Sequence, residues 1–270
     1  MSTSKQRGNI MEEMTVKDMI NAMEKTSTAI LACGGTEQHG YHLPLSTDYL
    51  AAYEIAKEAS RRTGCLVPPP LCYSYSGGKL LGTTDISPAT TTQVVIEIGL
   101  SLAEQGVKNI IIFAGHCGAE HLNACKEAGY RIMEQARGTR TAFCPALSLS
   151  RTWKRLLSGR GEHAGEGETS LILHIRPDLV RDDRPFDTPD TRKAIEPKKP
   201  KSPAYFVDDF ILKRRDTYRP DRKAPYKYGV PSDGGLRATR KLGKVLFDEM
   251  AGTLASLVRT MERKGGRRRA

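Results

Sequence analysis

No run of eighteen apolar residues occurs in the 270-residue chain, which excludes a membrane-spanning helix of the usual kind. The first residues, MSTSKQRGNIMEEM, lack an apolar core followed by a small-residue cleavage site, so no secretory signal is read there and a cytoplasmic location is expected. None of the six cysteines (Cys33, Cys65, Cys72, Cys117, Cys125, Cys144) stands in a CxxC pair, and most lie in apolar or small-residue runs. That spacing excludes a zinc ribbon or a disulfide frame and predicts reduced, partly buried thiols. There is no internal repeat, and a single tryptophan, Trp153.

Charge of one sign is plentiful: the formal net charge is +11. Its location decides what it means. Residues 181–228 hold fourteen Lys/Arg and nine Asp/Glu, a net +5, and residues 259–270 hold six against one, a further +5. The rest of the chain is close to neutral. The surplus therefore sits in one excursion containing seven prolines and one tail, with no nucleic-acid-reading motif beside it, and reads as solvated surface.

What is present is a set of apolar segments, each followed by glycine and chemistry-bearing residues. Ser27 to Cys33 reads as a buried parallel strand ended by Gly34-Gly35. Glu37, His39 and Asp48 follow, with His42 among them. Residues two apart on extended backbone point to one side, so Glu37 and His39 converge if the loop is extended. Mixed carboxylate and imidazole donors suit Zn, Mn or Fe(II). The plain alternative is that these are turn and capping residues.

Helices are predicted at 15–24 (Thr15 as N-cap), 49–63 (ended by Gly64), 90–105 (closed by Gly106), about 122–137, around 153–157, from the 161–170 stretch through His174, and roughly 236–262. Strands are predicted at 28–33, 66–67, 109–114 and 141–144. Strand alternating with helix predicts an α/β fold, a single domain with a mainly parallel sheet flanked by helices. Its core spans about 15–258. Loop 73–84, rich in Gly and Ser, is a candidate wall of a pocket or an ordinary surface loop. Gly115-His116-Cys117-Gly118 follows the 109–114 strand, a placement typical of ligand sites at the carboxyl end of a parallel sheet. Cys117 reads as a small residue filling a tight site.

Thr36-Glu37-Gln38-His39-Gly40-Tyr41-His42-Leu43-Pro44-Leu45 with Asp48 resembles the signature of the creatininase (creatinine amidohydrolase) family. Gly115-His116-Cys117-Gly118 matches a second motif of that family, and His163-Ala164-Gly165-Glu166-Gly167-Glu168-Thr169-Ser170 a third. Gly229-Val230-Pro231-Ser232-Asp233 resembles a further turn. Two departures stand out: creatinine-hydrolysing members carry an acidic ligand where this chain has Gly118, and the family's frequent Asn is Ala119. Those members also place tryptophans around the substrate. The departures point away from creatinine itself.

The resemblance implies a creatininase-like fold and a metal-dependent amidohydrolase acting on a linear or cyclic amide. It implies two divalent ions per subunit (Zn, Mn or Fe), one held by Glu37, Asp48 and His116 and the other by His39, Asp48 and Glu168, with Asp48 bridging. Glu162 and His163 match an acid/base pair. Glu166 retains a capping reading at its helix start. A homo-oligomer, hexamers included, is implied as well, with the 181–228 excursion a candidate contact arm. Two other readings stand beside it: a binding or scaffold protein on the same fold, and a lactone-type hydrolase.

Overall fold

The structure, a computed structural model, describes residues 7–77, 81–157, 163–181 and 237–266. Five parallel strands form one sheet: β1 (Asn9–Ile10), β2 (Thr28–Cys33), β3 (Leu66–Val67), β4 (Asn109–Ala114) and β5 (Arg140–Pro145), in the order β1-β3-β2-β4-β5. Helices α1 (Val16–Met23), α2 (Thr47–Thr63), α3 (Pro88–Glu104), α4 (Ala119–Gln135), α5 (Arg151–Leu157), α6 (Glu166–Ile175) and α7 (Arg240–Gly266) flank it. The Gly229–Asp233 turn and the 182–228 excursion lie outside the described residues. No helix among the described residues is long and apolar enough to cross a membrane.

Alternation along the strands divides the core in two. Ile30, Ala32, Ile111, Phe113, Ala142 and Cys144 face α2 and α7, whereas Ala29, Leu31, Cys33, Ile110, Ile112 and Phe143 face α3 and α4. Both faces are covered, which is why β2 and β4, beyond their first residues Thr28 and Asn109, are apolar rather than alternating with polar residues. Each fully buried Ile, Leu or Phe contributes about 1.5–3 kcal/mol over its exposed state.

Local signals account for most helix ends. Thr15 and Asp18 cap α1 reciprocally, Asp18 Oδ2 accepting from Thr15 N–H (2.9 Å) and Thr15 Oγ1 from Asp18 N–H (3.3 Å). Gly64 ends α2 in the left-handed region at φ 77°. α3 begins two residues before the predicted start because Ser87 caps it and Pro88 fits the first turn, whose N–H has no intrahelical partner. α4 starts at Ala119, directly after Gly118. Strand β1 was not predicted; two residues carry no periodicity, and only pairing with β3 makes them a strand.

Register positions the site. β2 and β4 pair Cys33 with Ala114, and β4 and β5 pair Ala114 with Pro145, so three strands end level. After β2 the chain moves to β3 on one side; β4 lies on the other. The exits of β2 and β4 therefore flank the switch point where open α/β sheets bind ligands.

Candidate metal centre

Glycines at both strand exits let α2 start on the carboxyl edge of the sheet. A Cβ on Gly34 would lie 2.4 Å from Tyr49 N, and one on Gly115 would lie 2.5 Å from Asp48 O. With those contacts open, the first turn of α2 seats Asp48 between the loop leaving β2 and the loop leaving β4.

There the five sequence-predicted residues Glu37, His39, Asp48, His116 and Glu168 come together in two triads, Glu37/Asp48/His116 and His39/Asp48/Glu168, the donor atoms of each within 4.8 Å of one another. Asp48 belongs to both. Its Oδ2 lies 3.1 Å from His116 Nδ1 and its Oδ1 lies 3.2 Å from His39 Nε2. Glu37 Oε2 is 3.0 Å from His116 Nδ1, and Glu168 Oε2 is 3.6 Å from His39 Nε2. The carboxylate is thus divided between two imidazoles.

The donor set fits a pair of divalent cations. Glu37 O lies 3.0 Å from His39 Nδ1 and, as a carbonyl, can only accept, so Nδ1 carries a proton. In the neutral ring Nε2 then turns its lone pair towards two carboxylates. Both His39 Nε2 and Glu37 Oε2 are buried and make no hydrogen bond. Lone pairs facing one another with no proton between them are what a cation would reconcile, and the carbonyl on the far nitrogen is the usual way a ligating imidazole is oriented.

Without a cation the charges settle among themselves. Burial pushes the His39 imidazole down, but Asp48 and Glu168 outweigh it and hold it well above its ordinary value. For His116 burial is likewise outweighed, by Glu37 and Asp48. Burial would raise both carboxyls; the His116 charge holds Glu37 below its usual range, and His39 and His116 hold Asp48 well below. Asp48 also sits in the first turn of α2, where a helix favours negative charge.

The centre opens into a cavity of about 450 Å³, counting its mouth, walled by Ala146, Leu147, Trp153 and His163 as well as by Glu37, Asp48, His116 and Glu168. The His163 ring lies against that of His39, tilted by 38° with ring centroids 4.5 Å apart, and its Nε2 lies 2.7 Å from Gln38 Nε2. Burial lowers the His163 pKa, so the neutral ring is favoured. Its neighbour Ala164 is in the left-handed region at φ 52°, a conformation unusual for a residue with a Cβ, and its N–H donates to Glu168 Oε2 (2.5 Å). Glu168 therefore fixes the turn that carries His163.

Other sequence candidates fall elsewhere. Glu162 lies outside the described residues. His42 joins neither triad; its Nε2 pairs with Thr169 Oγ1 (3.0 Å), tying the first loop to α6, and burial lowers it to about 4. Cys117 is a half-buried thiol that burial pushes up to about 12, and it joins neither triad. Glu166 sits in the first turn of α6, outside both triads. The end of the predicted 73–84 loop meets the site loop: Thr84 forms a bridge with Thr36, and Thr83 Oγ1 accepts from Gln38 N–H (3.1 Å). By type Gln38 carries no signal, because an amide is neither an acid, a base nor a common ligand; its place between two ligand-type residues is the one sequence feature that points to it.

Comparison with known proteins places the fold and the family. A manganese form of creatininase matches with a TM-score of 0.71 at 25% identity, covering 94% of this chain and 99% of that one. A creatininase mutant of Zn-Zn type matches at 0.69 and 25%, covering 94% and 98%. Creatinine amidohydrolase of Pseudomonas putida is 31% identical over 178 residues, 59% of this chain and 68% of that protein. The mycofactocin precursor peptide peptidase of Mycolicibacterium smegmatis is 32% identical over 162 residues, 57% of this chain, so the match spans only 60% of the peptidase. Finally, the creatinine amidohydrolase family model matches residues 12–258, nearly the whole described fold, and the chain belongs to the creatininase family of amidohydrolases.

Proposed function

We propose that the protein hydrolyses the C–N bond of a small amide at a dinuclear metal centre, with Glu37, Asp48 and His116 holding one ion and His39, Asp48 and Glu168 the other. The observation that carries this reading is Asp48, whose two oxygens face two different imidazole–carboxylate pairs. Divalent ions such as Zn, Mn or Fe, when bound, supply Lewis-acid polarisation of a carbonyl and lower the pKa of water to about 7.

The chain's own residues do the rest. Glu37, Asp48 and Glu168 provide anionic oxygens, and the neutral rings of His39 and His116 provide nitrogen lone pairs. Leu147, Trp153 and Ala146 wall the cavity and limit its water. His163 delivers a proton from a ring nitrogen to the departing amine, the balance coming from the attacking water. Glu162 is the second member of the proposed acid/base pair. Gly118 has no side chain to offer as a ligand, and Glu168 takes that part in the second triad. Residues 15–258 act as one unit that self-associates, which light scattering on the purified protein checks.

The test is elemental analysis of protein purified without chelator or added metal, wild type against Asp48→Ala, followed by turnover of formamide, N-formyl amines, creatinine and simple lactones. Close to two ions per subunit, collapsing in the variant, with turnover of an amide supports the reading. Absence of metal after reconstitution with Zn, Mn and Fe(II) sinks it, and turnover of lactones alone reassigns the bond cleaved.

A further inference from the structure

Gln38 lies between two proposed ligands and belongs to neither triad, yet its side chain is fixed at both ends. Its Oε1 accepts from Gly40 N–H (3.1 Å), with Gly40 in the left-handed region at φ 67°, and its Nε2 lies 2.7 Å from His163 Nε2. The residue is 9% exposed, and its own backbone N–H is held by Thr83 Oγ1.

A backbone N–H can only donate, so the Gly40 contact decides which way the amide points: oxygen towards Gly40, NH2 towards His163. The reverse orientation sets the amide NH2 against the Gly40 N–H, donor against donor. An amide NH2 has no lone pair to offer, so the ring nitrogen it meets at 2.7 Å has to be the acceptor. His163 Nε2 is therefore bare, and the proton of the neutral ring is on Nδ1.

We propose that Gln38 is a positioning residue that fixes His163 as the Nδ1–H tautomer, so that the ring offers the reaction a proton on Nδ1 while Nε2 is occupied by the amide. In this arrangement residues 37 and 38 set two imidazoles at once, the Glu37 carbonyl fixing His39 and the Gln38 amide fixing His163. The choice of Gln over Glu then has a reason. A carboxylate at 38 would accept from the Gly40 N–H and also from His163, drawing the proton to Nε2. The catalytic relevance of the tautomer rests on the role proposed for His163, but its detection does not.

The experiment uses the full chain loaded with zinc, which is diamagnetic, with 15N-labelled histidine. Long-range 1H–15N correlation spectra distinguish a protonated from a bare ring nitrogen, and His163 is assigned by the signals lost in His163→Asn. The wild type is expected to show a protonated Nδ1 and a bare Nε2. Gln38→Glu is expected to move the proton to Nε2, and Gln38→Leu to give both tautomers in exchange. Zinc content is expected to stay at the wild-type level in both. A protonated Nε2 in the wild type overturns the proposal, as does a His163 spectrum unchanged in both variants. If Gln38→Glu does not fold, the Gln38→Leu spectrum decides. Because the spectra need no substrate, failure of the amidohydrolase reading, seen as no turnover of any amide by the wild type, and failure of the proton-donor role, seen as unaltered turnover in His163→Ala, are each visible separately.

Discussion

At the amino-terminal edge of the sheet, Asn109 Nδ2 donates to Thr28 Oγ1 (3.0 Å), Thr28 N–H to Thr26 Oγ1 (3.2 Å), and Thr141 Oγ1 to the Gly129 carbonyl (3.0 Å). Arg140 closes the set on Asn109 Oδ1 and the Met261 carbonyl. At the carboxyl edge, Glu37 Oε2, His39 Nε2 and His116 Nε2 are just as buried and make no hydrogen bond. Burying polar groups is therefore not what marks the site, since both edges do it. The difference is satisfaction: a structural cluster completes its hydrogen bonds within the chain, while the other edge leaves atoms whose pairing requires something more.

Mutation can break that contrast in order of effect. Asp48→Ala removes the residue shared by both triads and is expected to lower bound metal and turnover to background, read by elemental analysis and an amide assay. His163→Ala is expected to lower kcat by about 10²- to 10⁴-fold while leaving metal content intact. Loss of metal in that variant would instead place His163 in the ligand set, since its ring also lies within reach of Glu37 and His39. Gly118→Ala sets a Cβ 2.3 Å from His116 Nε2 and forces the ring to move, so metal affinity should fall by about 10- to 100-fold in a chelator competition.

The satisfied edge should respond in stability alone. Asn109→Ala removes one hydrogen bond from Thr28 Oγ1 and one from Arg140 and is expected to cost about 1–3 kcal/mol in denaturant unfolding, with metal content unchanged. A comparable effect of Asn109→Ala on metal binding would erase the distinction between the edges. The smallest effect concerns Glu249, which accepts from Ser150 Oγ (2.6 Å), Thr152 N–H (3.0 Å) and Thr152 Oγ1 (2.8 Å), holding α5 and Trp153 to α7. Burial pushes this carboxyl up, but the hydrogen bonds outweigh it and hold its pKa below the ordinary 4.5. Its contribution is thus present above pH 4.5 and lost as pH falls through the lower folded value. Glu249→Gln should flatten the acid limb of a stability–pH curve in that window and leave it unchanged near neutrality.

Much of the fold was legible because its signals are local. The five apolar residues of β4 from Ile110 to Ala114, the Thr15/Asp18 capping box and the left-handed Gly64 each act within a few residues. What local pattern could not supply was β1, whose two residues gain meaning only beside β3, and the start of α3, where a Ser87 cap with Pro88 outweighed the apolar period. In the site, the residue types were legible in the residues themselves while their grouping came only from the family resemblance: by type alone His42 looked like Glu37 or His39, but the fold turns it onto Thr169.

Taken by itself, the sequence determined where strands stop and which residues with lone pairs follow them, since propensity, glycine placement and residue chemistry are properties of short segments. Only the tertiary structure decided that Asp48 divides its oxygens between His39 and His116, that Glu168 braces the turn at Ala164, and that Gln38 meets His163. The physical reason is separation. His116 and Asp48 are 68 residues apart and Gln38 and His163 are 125 apart. Contacts over such distances are fixed by strand order, register and the close approach that Gly34 and Gly115 permit, none of which a local pattern encodes.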